Sequence, residues 1–252
     1  MADQLTLRLA APAPRIPSGL RPMLPRSTRV PFDAADHLFE PIWGGERVLA
    51  IVERDGSAGT RTRLLDTEGH ERWGAEPGAL AELADLGGRV DARDAVLDGE
   101  LVAVGHDGRL DATGLAARLA GRTGPPLAFL AFDLLHLDGR PLLGLPLERR
   151  RERLAAILEP GPAALLVPAS AGDGIALHAA VTAQGLGGVL ARQRRSPYLP
   201  GVRSASWRFV TAGHGPAADA EAAEPAAPGA PARVRDAAAP VLTLIQRLPL
   251  DG

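Results

Sequence analysis

Lysine is missing from this chain: all 28 basic residues among its 252 are arginine. That absence excludes an amine nucleophile, and with it a Schiff base, a lysyl adenylate and the lysine of a P-loop. Cysteine is missing too, which removes disulfides, thiolate metal sites and thiol nucleophiles. No apolar run approaches the roughly 18–20 residues that cross a bilayer. The N-terminus also lacks a basic-then-apolar signal pattern, so no membrane partner and a cytoplasmic location are expected. A formal net charge of −2 argues against coating nucleic acid by bulk charge and leaves room only for a local patch. The six histidines are scattered without metal-ligand spacing, and no zinc site is expected.

What is present suffices for a core, with 46% apolar and 23% charged residues. Residues 1–20 have no sustained period and read as an irregular lead-in. Residues 21–211 read as a mixed α/β domain. Residues 47–52 (RVLAIV) predict a strand, paired with 61–65 across an Asp55-Gly56 turn. Helical spacing after Pro77 predicts a short helix to about residue 86. Residues 95–104 predict a strand broken by the polar island Asp98-Gly99-Glu100, followed by a turn at His106-Asp107-Gly108. Residues 127–137 (LAFLAFDLLHL) predict a buried strand closed by an Asp138-Gly139 turn, with His136 at the strand end. Helices are predicted over 146–158 and 175–184, and a strand over 188–192. The charged run at 148–153 (ERRRER) reads as a solvated helix face with internal ion pairs.

From residue 212 to 240 alanine, proline and glycine dominate, as expected of a flexible linker. Residues 241–252 open with the apolar stub Val241-Leu242-Thr243-Leu244-Ile245. The segment from Arg192 to Arg208 holds Arg192, Arg194, Arg195, Arg203 and Arg208 with Tyr198 and Trp207 between them and no acid. Guanidiniums contact phosphates and aromatic rings stack on bases, so Arg194, Arg195, Tyr198, Arg203, Trp207 and Arg208 form a candidate nucleic-acid surface. A solvated basic face is the alternative.

An ordered series of short motifs completes the reading: Phe39-Glu40-Pro41-Ile42-Trp43-Gly44-Gly45-Glu46-Arg47, then Leu97-Asp98-Gly99-Glu100-Leu101, then Ala131-Phe132-Asp133-Leu134-Leu135, then Gly188-Val189-Leu190-Ala191-Arg192, and finally Ser196-Pro197-Tyr198 and Ser206-Trp207. In order and spacing the series resembles the ATP-dependent DNA ligase family, especially the ligase domain of bacterial end-joining enzymes. The resemblance implies an α+β adenylation domain of the covalent nucleotidyltransferase (ATP-grasp-like) type, with two antiparallel sheets and flanking helices around an ATP cleft. It also implies Mg²⁺, and DNA ends or nicks or a DNA-repair protein as partners. Residues after 211 read as linker, so no oligonucleotide-binding barrel is expected.

The departures from the family pattern define the functional expectation. The nucleophilic lysine aligns with Ile42, the adjacent aspartate with Gly44, and the metal-site glutamate with Gly187. A phosphate-contacting lysine aligns with Arg192, two others with Phe209 and Thr211, and an arginine of the second motif with Thr67. General replacement of lysine by arginine does not account for Ile42 or Phe209, which discard the charge. By resemblance Glu40 would contact the adenine amine, Arg47 and Glu100 the ribose side, and Phe132 the adenine ring, with Arg192 a residual phosphate-side charge. The expectation is a ligase-like domain without self-adenylation, with no catalytic nucleophile, the Mg²⁺ site lost and ATP binding weak at most. An active ligase and a purely structural interaction module are the alternatives. Asp98, Glu100 and Asp133 could equally persist to hold the fold together.

Overall fold

The computed structural model describes residues 16–55, 59–72, 80, 82–105 and 110–212. Its elements in chain order are β1 (Leu24–Thr28), β2 (His37–Ile42), β3 (Glu46–Asp55), β4 (Gly59–Leu65), β5 (Glu71–Arg72), α1 (Glu82–Gly88), β6 (Asp94–Ala103) and α2 (Ala112–Leu119). They continue with β7 (Leu127–Leu137), β8 (Arg140–Pro141), α3 (Leu147–Ile157), β9 (Ala164–Leu166), β10 (Ser170–Ala171), α4 (Gly174–Ala183), β11 (Gly188–Gln193) and β12 (Arg203–Thr211). The predicted Asp55-Gly56 and His106-Asp107-Gly108 turns, the start of the 77–86 helix, most of the lead-in and residues 213–252 lie outside the described residues.

Two sheets result. One runs β1-β12-β11-β2-β10 and the other β5-β4-β3-β6-β7-β8, with β9 beside β7. Pairing is antiparallel as expected, except that β1 lies parallel to β12 and β9 parallel to β7. The Asp138-Gly139 turn is as the dipeptide predicts: both residues have positive φ, 48° and 75°, the twist a two-residue hairpin needs.

The larger sheet is covered on both faces, which explains why β7 is an unbroken apolar run and not an alternating one. One face of it packs on the helices through Val48, Val52, Leu97, Leu134, Leu86 and Leu154. The other meets the smaller sheet through Leu49, Ile51, Val96, Leu190 and Trp207. Each fully buried Leu or Ile contributes about 1.5–3 kcal/mol, so this double layer stabilises the strands that carry the site. Gly99 is required where β6 crosses β7, because a Cβ there would collide with the Leu130 carbonyl and the Phe129 ring. Helix α3 starts at Pro146 without a side-chain cap. Its first N–H groups donate instead to the Ser196 and Arg194 carbonyls, both at 3.1 Å, which ties the helix to the end of β11.

Candidate functional site

Buried charge concentrates between the sheets, in two knots on either side of the Phe132 ring. In the first, β7 supplies Asp133, β2 Glu40, β11 Arg192, and α3 Arg150 and Arg151. Asp133 receives a two-pronged hydrogen bond from Arg150 at 2.8 and 2.9 Å and a third from Arg192 at 3.1 Å. Glu40 is paired with Arg192 at 2.6 Å and with Arg151. Both of these arginines also donate to the Phe132 carbonyl, at 2.9 and 3.0 Å, and Arg151 to the Val167 carbonyl at 2.7 Å. Three guanidiniums thus face two carboxylates, and backbone carbonyls take up the remaining donors. Arg150, Arg192 and Asp133 have no exposed side-chain surface. Burial lowers the Arg151 guanidinium below its ordinary value, opposed by Glu40 and reinforced by the neighbouring Arg192 charge.

In the second knot Arg47 on β3 holds Asp98 on β6 at 2.6 and 2.8 Å. Tyr198 donates its hydroxyl to Asp98 at 2.6 Å and accepts the Met23 N–H at 2.8 Å. Burial and the Asp98 charge hold the Tyr198 phenol well above its ordinary value, so it stays a donor. Burial pulls the Arg47 guanidinium down, but Asp98 more than offsets it and the net direction is up. Glu100, next along β6, accepts the Trp43 N–H at 3.3 Å. Burial pushes its carboxyl above the ordinary range, against the pull of Arg47 and the Trp43 and Gly45 N–H groups.

The Phe132 ring joins the knots: the Arg47 guanidinium carbon lies 4.4 Å and that of Arg192 5.0 Å from its centre. The structure therefore brings together all five residues that the resemblance places around a nucleotide: Glu40, Arg47, Glu100, Phe132 and Arg192. Little space remains among them. The cavity lined by Glu40, Ile42, Trp43, Glu100, Phe132 and Leu190 measures about 10 Å³, room for one water molecule at most. Ile42 forms one wall of this cavity and pairs with Gly188. Gly187 lies against Ile42, and the Phe209 ring lies over Gly188, where a Cβ would also strike the Val210 carbonyl. Ile42, Gly187 and Phe209, three of the positions where family residues are replaced, thus form one apolar step.

The Arg192–Arg208 segment divides. Arg195, Arg203 and Arg208 are exposed, and Arg194 is paired with Glu148 at 3.3 Å. Arg203 donates to the Pro25 carbonyl at 2.7 Å, and Arg208 covers the Phe32 ring at 5.3 Å. Tyr198 and Trp207 are buried and pack edge to face, ring centres 5.5 Å apart, which corrects the expectation that they offer stacking faces to a base. The 148–153 run is corrected as well. Arg149 and Glu152 do pair in solvent, but Arg150 and Arg151 turn inward. The signal was there: Leu147, Arg150 and Leu154, spaced three and four apart, are the buried face of α3. His136 is buried and bound to Asp94 at 2.8 Å.

Among the described residues, no group of three or more histidines or acids is placed to hold a metal ion. The buried acids are committed to arginines or backbone N–H groups, and Gly187 offers no ligand.

The family model of the ATP dependent DNA ligase domain matches residues 9–208. The multifunctional non-homologous end joining DNA repair protein LigD of Mycobacterium tuberculosis is 36% identical over 190 residues, covering 75% of this chain and 23% of that protein. A probable DNA ligase of Mycolicibacterium gilvum is 31% identical over 206 residues, covering 77% of this chain and 39% of its own length. Among solved structures, mycobacterial DNA ligase D complexed with ATP and MES superimposes with a TM-score of 0.63 at 32% identity, over 77% of this chain and 60% of that one. The ligase domain of M. tuberculosis LigD gives 0.61 with the same identity and coverage. The chain spans less than half the length of these curated relatives. The motif series, the two-sheet fold and the match over residues 9–208 agree: the chain belongs to the ATP-dependent DNA ligase domain family, as an adenylation domain of the bacterial end-joining type.

Proposed function

We propose that this is a ligase-family domain that does not adenylate itself, and that it serves DNA repair as a non-catalytic module binding DNA ends or nicks. The observation that carries the reading is the combination of a chain without lysine and a Glu40 carboxylate already closed on by Arg151 and Arg192. Covalent nucleotidyl transfer in the family needs an amine at the position that Ile42 occupies, and an alkyl side chain closes that route entirely. The metal-assisted steps lose support as well, because Gly187 and Phe209 supply neither a ligand nor a cation. A positioned cation at a developing phosphate charge is worth roughly 3–4 kcal/mol, and several are gone at once. The exposed Arg195, Arg203 and Arg208 support contact with DNA phosphates.

The test is incubation with α-labelled ATP and Mg²⁺, followed by a denaturing gel, alongside sealing assays on nicked and pre-adenylylated nicked duplexes. We expect no labelled protein and no sealed product, together with retention of ended or nicked duplex in a mobility shift. Labelled protein or sealing would overturn the non-catalytic reading. Loss of the mobility shift would overturn the DNA-binding part alone.

A further inference from the structure

We propose that a second cavity, which shares no residue with the cleft, binds a free basic amino acid. It lies where the ends of α1 and α3 come together and measures about 450 Å³, within the roughly 300–1,000 Å³ of small-molecule sites. Gly88 ends α1 and Ile157 ends α3, and both line it together with the charged residues Arg54, Arg89, Asp91 and Glu159. The floor is fixed by backbone bonds. The Glu159 N–H donates to the Arg89 carbonyl and the Asp91 N–H to the Ile157 carbonyl, both at 2.8 Å. Between them Val90 and Leu158 form a buried β-bridge, so the charged side chains stand on a preorganised base.

The ligand class follows from which charges are already answered. Arg89 is taken by Asp85 at 2.7 Å and by the Pro160 carbonyl at 3.2 Å. Arg54 donates only to the Val90 carbonyl, at 3.0 Å, and meets no carboxylate among the described residues. Asp91 and Glu159 are exposed and enter no salt bridge among the described residues. One positive and two negative charges are therefore left facing the cavity. The negative side is strengthened by the helix ends, since neither α1 nor α3 has a basic residue in its last turn. A simple anion such as phosphate would meet two carboxylates, and a simple cation would meet the Arg54 guanidinium. A molecule with one carboxylate and two cationic groups answers all three, and free lysine and arginine are such molecules. Their alkyl stems suit the Ala156 and Ile157 side of the cavity. A basic residue within a peptide lacks at least one of the three charges, so the site favours the free amino acid.

The experiment is an amide NMR titration of the full chain with L-lysine and with three analogues that each lack one charge. Norleucine lacks the side-chain ammonium, Nα-acetyl-lysine the α-ammonium and cadaverine the carboxylate. Lysine should shift the amides of Asp91, Ile157, Leu158 and Glu159 saturably, and each analogue should bind at least about ten-fold more weakly. No saturable shift at up to about 20 mM lysine overturns the site. An analogue that matches lysine overturns the three-charge assignment, and Nα-acetyl-lysine doing so would point to the C-terminal residue of a peptide instead. Arg54→Ala, checked for folding by a thermal melt, should weaken lysine about ten-fold and leave cadaverine unchanged, because cadaverine has no carboxylate to lose. Equal weakening of both in the folded variant would show that Arg54 does not meet the carboxylate. Should Arg54→Ala not fold, Arg54→Gln keeps a donor for the Val90 carbonyl without the charge, and the same pair of outcomes decides.

Discussion

At the scale of single residues, the deciding quantity is how much charge is buried and how completely it is answered. Arg150 has no exposed surface and makes two short bonds to Asp133, itself fully buried. Arg150→Ala should therefore cost about 3–5 kcal/mol in urea unfolding, since the buried Asp133 would keep only the Leu134 N–H and its longer link to Arg192. The neighbouring Arg149–Glu152 pair is of similar length, 2.8 Å, but lies in water, so Glu152→Ala should cost far less. Equal costs would show that the inner network does not carry the stability assigned to it. Glu100 gives a pH signature. Its folded form holds a proton more tightly than the unfolded chain does, so its contribution to stability falls as pH rises from the ordinary carboxylate value to the elevated one. Glu100→Gln should flatten the stability profile in that window and raise stability at neutral pH. A variant with the wild-type slope would show that another group sets it.

Elements were legible to different degrees, for physical reasons. The strands over 47–52, 95–104, 127–137 and 188–192 appear as β3, β6, β7 and β11, because apolar runs bounded by turn residues leave little choice of conformation. The motif residues Glu40, Arg47, Glu100, Phe132 and Arg192 were also named from sequence, and they do converge. What sequence could not show was that Arg192 and Arg151 close onto Glu40, because that depends on α3 being anchored to the end of β11 through backbone bonds that leave no residue signature. Charged side chains at 150 and 151 read as solvated by default, and only the 147/150/154 spacing spoke against it. Strand β2 supplies an element-level test. Ile42→Lys puts an amine at the family's nucleophile position, yet the strand presents it beside Gly187 and Gly188, and no cluster of three or more metal-ligating side chains is assembled among the described residues. We expect no labelled protein from α-labelled ATP with this variant. A label would mean that the nucleophile was the only missing part.

For the whole molecule, the cleft and the outer surface are electrostatically separate. The cleft's arginines are spent on Glu40, Asp133 and Asp98, leaving DNA only the charges that face water. Arg203 and Arg208 on β12 qualify, and Arg208 stands in register with the exposed Arg26 on β1. With a net charge of −2 the chain as a whole offers no general attraction for a polyanion, so the proposed DNA contact must draw on this local set and should be weak and steeply salt-dependent. Each phosphate-bound guanidinium removed should lower the slope of log affinity against log salt by about 0.9. Arg203→Ala with Arg208→Ala should thus reduce the slope by about 1.8 and weaken duplex binding at low salt. The fold should survive, since Arg203 gives up one bond to a backbone carbonyl and Arg208 its cover over one ring. An unchanged slope would place the phosphates elsewhere on the surface. A slope that vanished entirely would mean that these two guanidiniums are the electrostatic footprint by themselves. In either case the buried arginines should be silent in the salt titration, because a charge already neutralised inside the protein releases no counterion from DNA.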